Sequence, residues 1–154
     1  MARATQRATL TARVLPRLIL GLEWNPRADE VGPLANVVAV TETRRRPAVI
    51  LGTSSDRIGT RSGNSYYVTV SKDLAAEGRP PIAPYAGVAY GTHEDKARAI
   101  AGLQLGFSDR YSSTFLFDGV HLHLGFGISL PGGHELLLLL VEGEDPGIGY
   151  SIRF

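Results

Sequence analysis

Apolar and polar positions alternate along most of this chain, and the alternation is cleanest in the second half. From Ala97 one side reads Ala97, Ala99, Ala101, Leu103, Leu105, Phe107, and the other reads Arg98, Ile100, Gly102, Gln104, Gly106, Ser108. From Val120 one side reads Val120, Leu122, Leu124, Phe126, Ile128, Leu130 against His121, His123, Gly125, Gly127, Ser129. The last run sets Ile148, Tyr150, Ile152, Phe154 against Gly147, Gly149, Ser151, Arg153. A period of two belongs to a strand with two unlike faces. No window sustains the i, i+3, i+4, i+7 spacing of an amphipathic helix. Runs with strand character cover residues 17–25, 33–42, 47–54, 64–73, 81–91, 97–108, 111–117, 120–130, 134–142 and 146–154, about ten strands within a range of 8–12.

Short connections separate these runs: Ser108-Asp109-Arg110, Asp118-Gly119, Pro131-Gly132-Gly133, and residues 142–147. Asp-Gly between alternating segments predicts a hairpin with a type I′ turn, whose two central residues both need positive φ. Successive hairpins predict an all-β, antiparallel, up-and-down meander in one domain over residues 17–154, preceded by an N-terminal segment, residues 1–16. The run Glu135-Leu136-Leu137-Leu138-Leu139-Leu140-Val141 departs from alternation and predicts a strand greasy on both faces, packed against an internal side chain.

Alternation alone suits a soluble barrel as well as a membrane one. The clear runs reach about ten residues, the length that crosses a bilayer when tilted, against about 5–6 for an average soluble strand. Gly, Ser, Gln, His and Arg crowd the non-apolar side, which suits a wet or tightly filled barrel interior better than a soluble core. Trp24, Tyr66, Tyr90, Phe107, Tyr111 and Phe117 fall near run ends, where amphipathic rings form interfacial girdles. The expectation is a closed β-barrel of the transmembrane type, with Leu103, Leu105, Leu122, Leu124, Ile148 and Ile152 facing lipid. Glu23, Glu42, Arg98, Gln104, His121, His123 and Arg153 are expected on the inner face, where buried charges should pair.

Composition narrows the chemistry. The 154 residues carry a net charge of +1, which leaves no electrostatic footprint for nucleic acid. The tight basic run Arg44-Arg45-Arg46 reads as a charged turn. There is no cysteine, which excludes disulfides, thiolate metal sites and cysteine nucleophiles. The longest aliphatic run, residues 136–141, falls far short of the roughly 20 residues of a spanning helix, so a bilayer role needs a closed barrel. The first 22 residues make a poor export signal, because Arg13, Pro16 and Arg17 break the apolar stretch. Residues 1–16 are therefore expected to be a truncated strand or the remnant of an export region, with a misassigned start or a fragment as the favoured explanation.

The closing residues Gly147-Ile148-Gly149-Tyr150-Ser151-Ile152-Arg153-Phe154 resemble the C-terminal strand of Gram-negative outer-membrane barrels, which alternates and ends in an aromatic. Tyr85-Ala86-Gly87-Val88-Ala89-Tyr90, Phe117-Asp118-Gly119 and the stretch from Ser65-Tyr66-Tyr67-Val68 to Lys72 are similar to small proteins of that class. The resemblance implies an outer-membrane location among outer-membrane lipid. It also implies that barrel-assembly machinery reads Tyr150, Ile152 and Phe154 during insertion. It carries fold and place, not activity.

Candidate chemistry is sparse. His121 and His123 lie two apart on one predicted strand and would share a face, but the sequence identifies no third metal ligand. His93-Glu94-Asp95 reads as a solvated turn without an acidic ligand ladder. Ser113 and Ser129 are available nucleophiles, yet no His-x-Ser pair occurs on the clear strands. The polar segment of residues 52–64 lacks the lysine and the strand-to-helix context of a phosphate loop, and is the connection in which function is most expected. The reading is a non-enzymatic outer-membrane barrel, without cofactor or metal, in a structural, envelope-associated or narrow-passage role. A soluble lipocalin-like barrel for an apolar ligand and an outer-membrane lipid hydrolase are the alternatives. Wide-pore transport does not fit about ten strands, whose side chains largely fill the lumen.

Overall fold

The computed structural model describes residues 6–75 and 80–153. Its strands are β1 (Ala8–Leu15), β2 (Leu18–Asn25), β3 (Glu30–Val40), β4 (Ala48–Ser55), β5 (Asn64–Ser71), β6 (Ile82–Gly91), β7 (Lys96–Gly106), β8 (Tyr111–Phe117), β9 (Leu122–Leu130), β10 (His134–Val141) and β11 (Asp145–Ile152). They form one 11-stranded sheet in sequence order, an antiparallel up-and-down meander. Each of the ten expected runs overlaps one strand. The additional strand, β1, lies in the N-terminal segment, where Arg13 and Pro16 obscured its alternation. Pro16 and Arg17 make the two-residue turn between Leu15 and Leu18, which are register partners.

The expected closure is not found: the strand order runs from β1 to β11 with no β1–β11 pair among the described residues. Strand number supplies a physical reason. With 11 antiparallel strands β1 and β11 run in the same direction, so joining them would require a parallel pair in an otherwise antiparallel sheet. Among the described residues, no helix is long and apolar enough to cross a membrane.

The chain divides into two units: Met1–Ser71 with Gly87–Ala99, and Lys72–Ala86 with Ile100–Phe154. In the first, register sorts side chains onto two faces. Leu10 opposite Leu22, Ala12 opposite Leu20 and Trp24 opposite Val31 share one face with the Val37–Leu51 and Leu51–Val68 pairs. Thr9 opposite Glu23, Ile19 opposite Asn36, Val38 opposite Ile50 and Gly52 opposite Tyr67 share the other. Gly52 is required where it stands. A Cβ there would lie 2.4 Å from Tyr67 Cζ, so the ring occupies the space that the missing side chain frees.

In the second unit, Leu103 pairs with Phe115, Leu124 with both Phe115 and Leu140, and Ile148 with Leu138, all on one face. Gly102, Thr114, Gly125 and Gly127 stand on the opposite face. The doubly greasy strand is β10, and its second greasy side meets glycine rather than a large internal side chain. Leu137 pairs with Gly127 and Gly149, and Leu139 with Gly125 and Gly147. A Cβ at Gly147 or Gly149 would stand 3.3 or 3.4 Å from the Cβ of Leu139 or Leu137. The leucines thus spread over a glycine floor on both sides, giving close packing without a second large residue.

The Asp118-Gly119 hairpin forms, but not with the expected turn. Gly119 has φ of 94° while Asp118 is not in the left-handed region. Asp118 N donates to His121 O at 3.1 Å, so Gly119 and Val120 are central, and only the first needs positive φ, as in a type II′ turn.

Candidate functional site: an exposed apolar face and the polar clusters behind it

Burial in this protein is inverted relative to a soluble domain. Among the described residues Ala48 is the sole buried apolar side chain, at 9% exposure, whereas Glu23, Asn25, Ser55, Asp56, Thr60, Ser65, Thr69 and His123 are buried. Leu22, Leu122, Ile148, Ile152 and Phe126 are exposed, as are Trp24, Tyr66, Tyr90, Phe107, Tyr111 and Phe117. Of the side chains expected to face lipid, Leu103, Leu105 and Leu124 are half-buried, though they occupy the same apolar face as their exposed neighbours. Tyr111 and Phe126 stack there with ring centroids 6.0 Å apart, and His134 Nδ1 lies 2.5 Å from Tyr150 Oη. Phe154 lies outside the described residues.

Behind the apolar face of the first unit, β2 carries Glu23 and Asn25, 1% and 0% exposed. Glu23 accepts hydrogen bonds from Ser55 Oγ and, at 3.4 Å, from Asn25 Nδ2; its other oxygen lies 3.3 Å from Arg7. Asn25 Nδ2 also reaches Ser55 Oγ at 3.2 Å, and Asn25 Oδ1 has no partner among the described residues. A buried carboxylate persists because it is paired and hydrogen-bonded.

Two connections of this unit are pinned together. The Asp56 carboxylate accepts Arg57 N at 2.8 Å and His93 N at 2.9 Å, and Asn64 N donates to Thr92 Oγ1 at 2.8 Å. Glu94 bridges Arg98 and Arg57, the latter at 2.7 Å. Hydrogen bonds from Arg98 first, then Arg57, hold its carboxyl well below the ordinary value of 4.5, at about 2. The turn at 93–95 is exposed, as expected of a solvated turn, and it is also tied to the 56–64 connection. Ser62 Oγ comes within 3.5 Å of His93 Nδ1, but Asp56 contacts His93 through its backbone and leaves the ring unoriented, which is not the geometry of a nucleophile, base and acid.

In the second unit both histidines meet Glu142, His121 through the carboxylate and His123 through the backbone N–H. His121 lies in the connection before β9, not on the strand, with Nδ1 3.3 Å from Glu142 Oε1. His123 lies on β9 with Nε2 3.1 Å from Asp118 Oδ2, while its Nδ1 accepts the Glu142 N–H at 3.2 Å. That arrangement assigns the proton to Nε2. Asp118 Oδ1 accepts Val120 N and His121 N at 2.9 and 2.8 Å. Burial opposes ionisation of Asp118, but hydrogen bonds from His121 N, His123 and Val120 N outweigh it, so its pKa falls below the ordinary value. Among the described residues, no group of three or more His, Asp or Glu could hold a metal.

Of the charges expected to pair with one another, Glu23 pairs with Arg7, Arg98 with Glu94 and Arg153 with Glu135, so every one of these partners lies outside the expected set. Glu42 follows β3 in the connection to β4, and Gln104 is exposed on the polar face opposite Thr114. Sequence reasoning missed Asn25, Ser55 and Asp56 as buried polar residues and Asp118 as a half-buried one. Asp118 had a signal, since Asp before Gly caps its own turn, but its pairing with the His123 ring, five residues on, had none. The chain matches no family model, no curated protein and no solved structure.

Proposed function

We propose that this chain is an outer-membrane β-barrel protein with a structural, envelope-associated or narrow-passage role and no catalytic activity of its own. The observation that carries this reading is the inverted burial: large aliphatic and aromatic side chains cover one exposed face, while Glu23, Asn25, Thr69 and His123 are buried on the other. An exposed apolar face of this extent is costly in water and stable against acyl chains. A lipocalin-like carrier would need those side chains on the buried face. In hydrocarbon no backbone edge goes unpaired, so this reading requires β1 and β11 to close on each other in the bilayer, as a parallel pair in an otherwise antiparallel sheet. The aromatic residues at strand ends belong at the headgroup level in this reading.

The deciding experiment places nitroxide labels at Leu122, Phe126 and Ile148, and at Gly125 and Ser129 on the other face, in protein reconstituted into phosphatidylcholine vesicles. Strong relaxation by oxygen and weak relaxation by a nickel chelate at the first three supports the reading. Water-like relaxation at Leu122, Phe126 and Ile148 removes it.

A further inference from the structure

At the turn end of β1 and β2 the polar face of the first unit holds a cavity of about 340 Å³. Its lining includes Arg13 and Arg17, the Asn36 amide, and the aliphatic side chains of Ile19, Val38 and Ile50. Two register shifts lie beside it, one between Arg13 and Leu15 and one between Val38 and Val40. Such irregularities bend a strand and re-aim its side chains. They occur here next to the residues that line the space.

The charges are one-sided. Glu23, Glu94 and Glu135 each take an arginine, but Arg13 and Arg17 form no ion pair among the described residues. The Val38 N–H donates to Arg17 O at 2.9 Å, which ties the β1–β2 turn to the end of β3, and the connection that follows carries Arg44, Arg45 and Arg46, all exposed. Asn36 uses its Oδ1 to accept the Tyr67 hydroxyl at 2.7 Å, which leaves its Nδ2 as a donor for a ligand. Guanidinium forks favour planar or tetrahedral oxyanions, and aliphatic walls favour a chain of methylenes. The volume sits at the lower end of small-molecule sites.

We infer that this cavity binds an anionic amphiphile, with its oxyanion head on Arg13, Arg17 and the Asn36 amide and the start of its alkyl tail against Ile19, Val38 and Ile50. The site belongs to one unit of the chain and stands on that geometry whether or not the opposite face meets lipid. Carboxylate-headed and phosphate-headed amphiphiles share the chemistry that this site recognises.

The test is calorimetric titration of the full chain, folded in dodecyl maltoside, with decyl phosphate, decanoate, inorganic phosphate and decanol as separate probes. Saturable binding of decyl phosphate or decanoate is expected, with inorganic phosphate and decanol each at least about tenfold weaker, because neither engages both halves of the site. The R13Q/R17Q variant should weaken the amphiphiles at least about tenfold, whereas R13K/R17K should retain part of the affinity. Ile50→Trp, which fills the apolar half, should weaken the amphiphiles and leave inorganic phosphate unchanged. R44Q/R45Q/R46Q removes charge outside the cavity and should change binding by less than about threefold. Equal binding by wild type and R13Q/R17Q overturns the proposal. So does inorganic phosphate binding as tightly as decyl phosphate, or a decyl phosphate signal that never saturates.

Discussion

His123 Nε2 stands 3.1 Å from Asp118 Oδ2, and the two side chains are 4% and 8% exposed. The imidazole is held from its other side by the Glu142 N–H, so one ring ties the β8–β9 connection to the residue that follows β10. Removing the ring leaves a nearly sequestered carboxylate and a backbone donor without their acceptor or donor partner. His123→Ala should therefore cost about 1–3 kcal/mol. In a double-mutant cycle with Asp118→Ala the coupling should be at least about 0.5 kcal/mol. Urea unfolding followed by circular dichroism measures both, and strictly additive losses would show that the pair is incidental.

Gly52 and Tyr67 give a packing prediction. Gly52→Ala puts a methyl group into the ring, which must swing away and give up its bond to Asn36. The expected cost is about 1–3 kcal/mol. Tyr67→Phe keeps the ring in place and loses only the hydroxyl bond, about 1 kcal/mol. The fluorescence of Trp24, the single tryptophan, reports unfolding of this unit, and an alanine at position 52 milder than the phenylalanine at 67 would contradict the account.

Leu124 tests the apolar face. In a bilayer, Leu124→Arg near the midplane should cost roughly 2–4 kcal/mol, while the same change on a lumenal surface would cost far less. The measurement is folding free energy into phosphatidylcholine vesicles. A loss near zero would place Leu124 in water.

Glu94 sets a pH dependence. Its carboxyl is depressed in the folded state, so its contribution is complete above the ordinary value of 4.5 and disappears as pH falls through about 2. A carboxyl carbon-13 titration should give a midpoint near 2 that rises in Arg98→Gln, the larger of the two causes. A midpoint near 4.5 in the wild type would mean that the Arg57–Glu94–Arg98 bridge does not persist in solution.

The alternation of single residues was enough to identify ten of the eleven strands, the antiparallel meander and the two unlike faces, because side-chain direction in a strand depends only on parity. Leu122 and Leu124 therefore fall on one face and His123 on the other whatever their neighbours do. Parity also located Glu23 on the polar face, but it could not say that Glu23 meets Arg7 and Ser55 rather than another inner charge. Such pairings depend on which strands adjoin and in what register, and register steps of two leave the pattern of faces unchanged. For the same reason the glycine floor beneath Leu137 and Leu139 was invisible locally: it joins β9, β10 and β11 through two separate registers. β1 was hidden because Arg13 looks like an interruption until its place on the polar face, opposite Ile19, makes it part of the alternation. The sequence by itself determined which residues face together. The tertiary structure decided which of them touch, and whether the last strand meets the first, because both depend on the count and register of strands far apart in the chain.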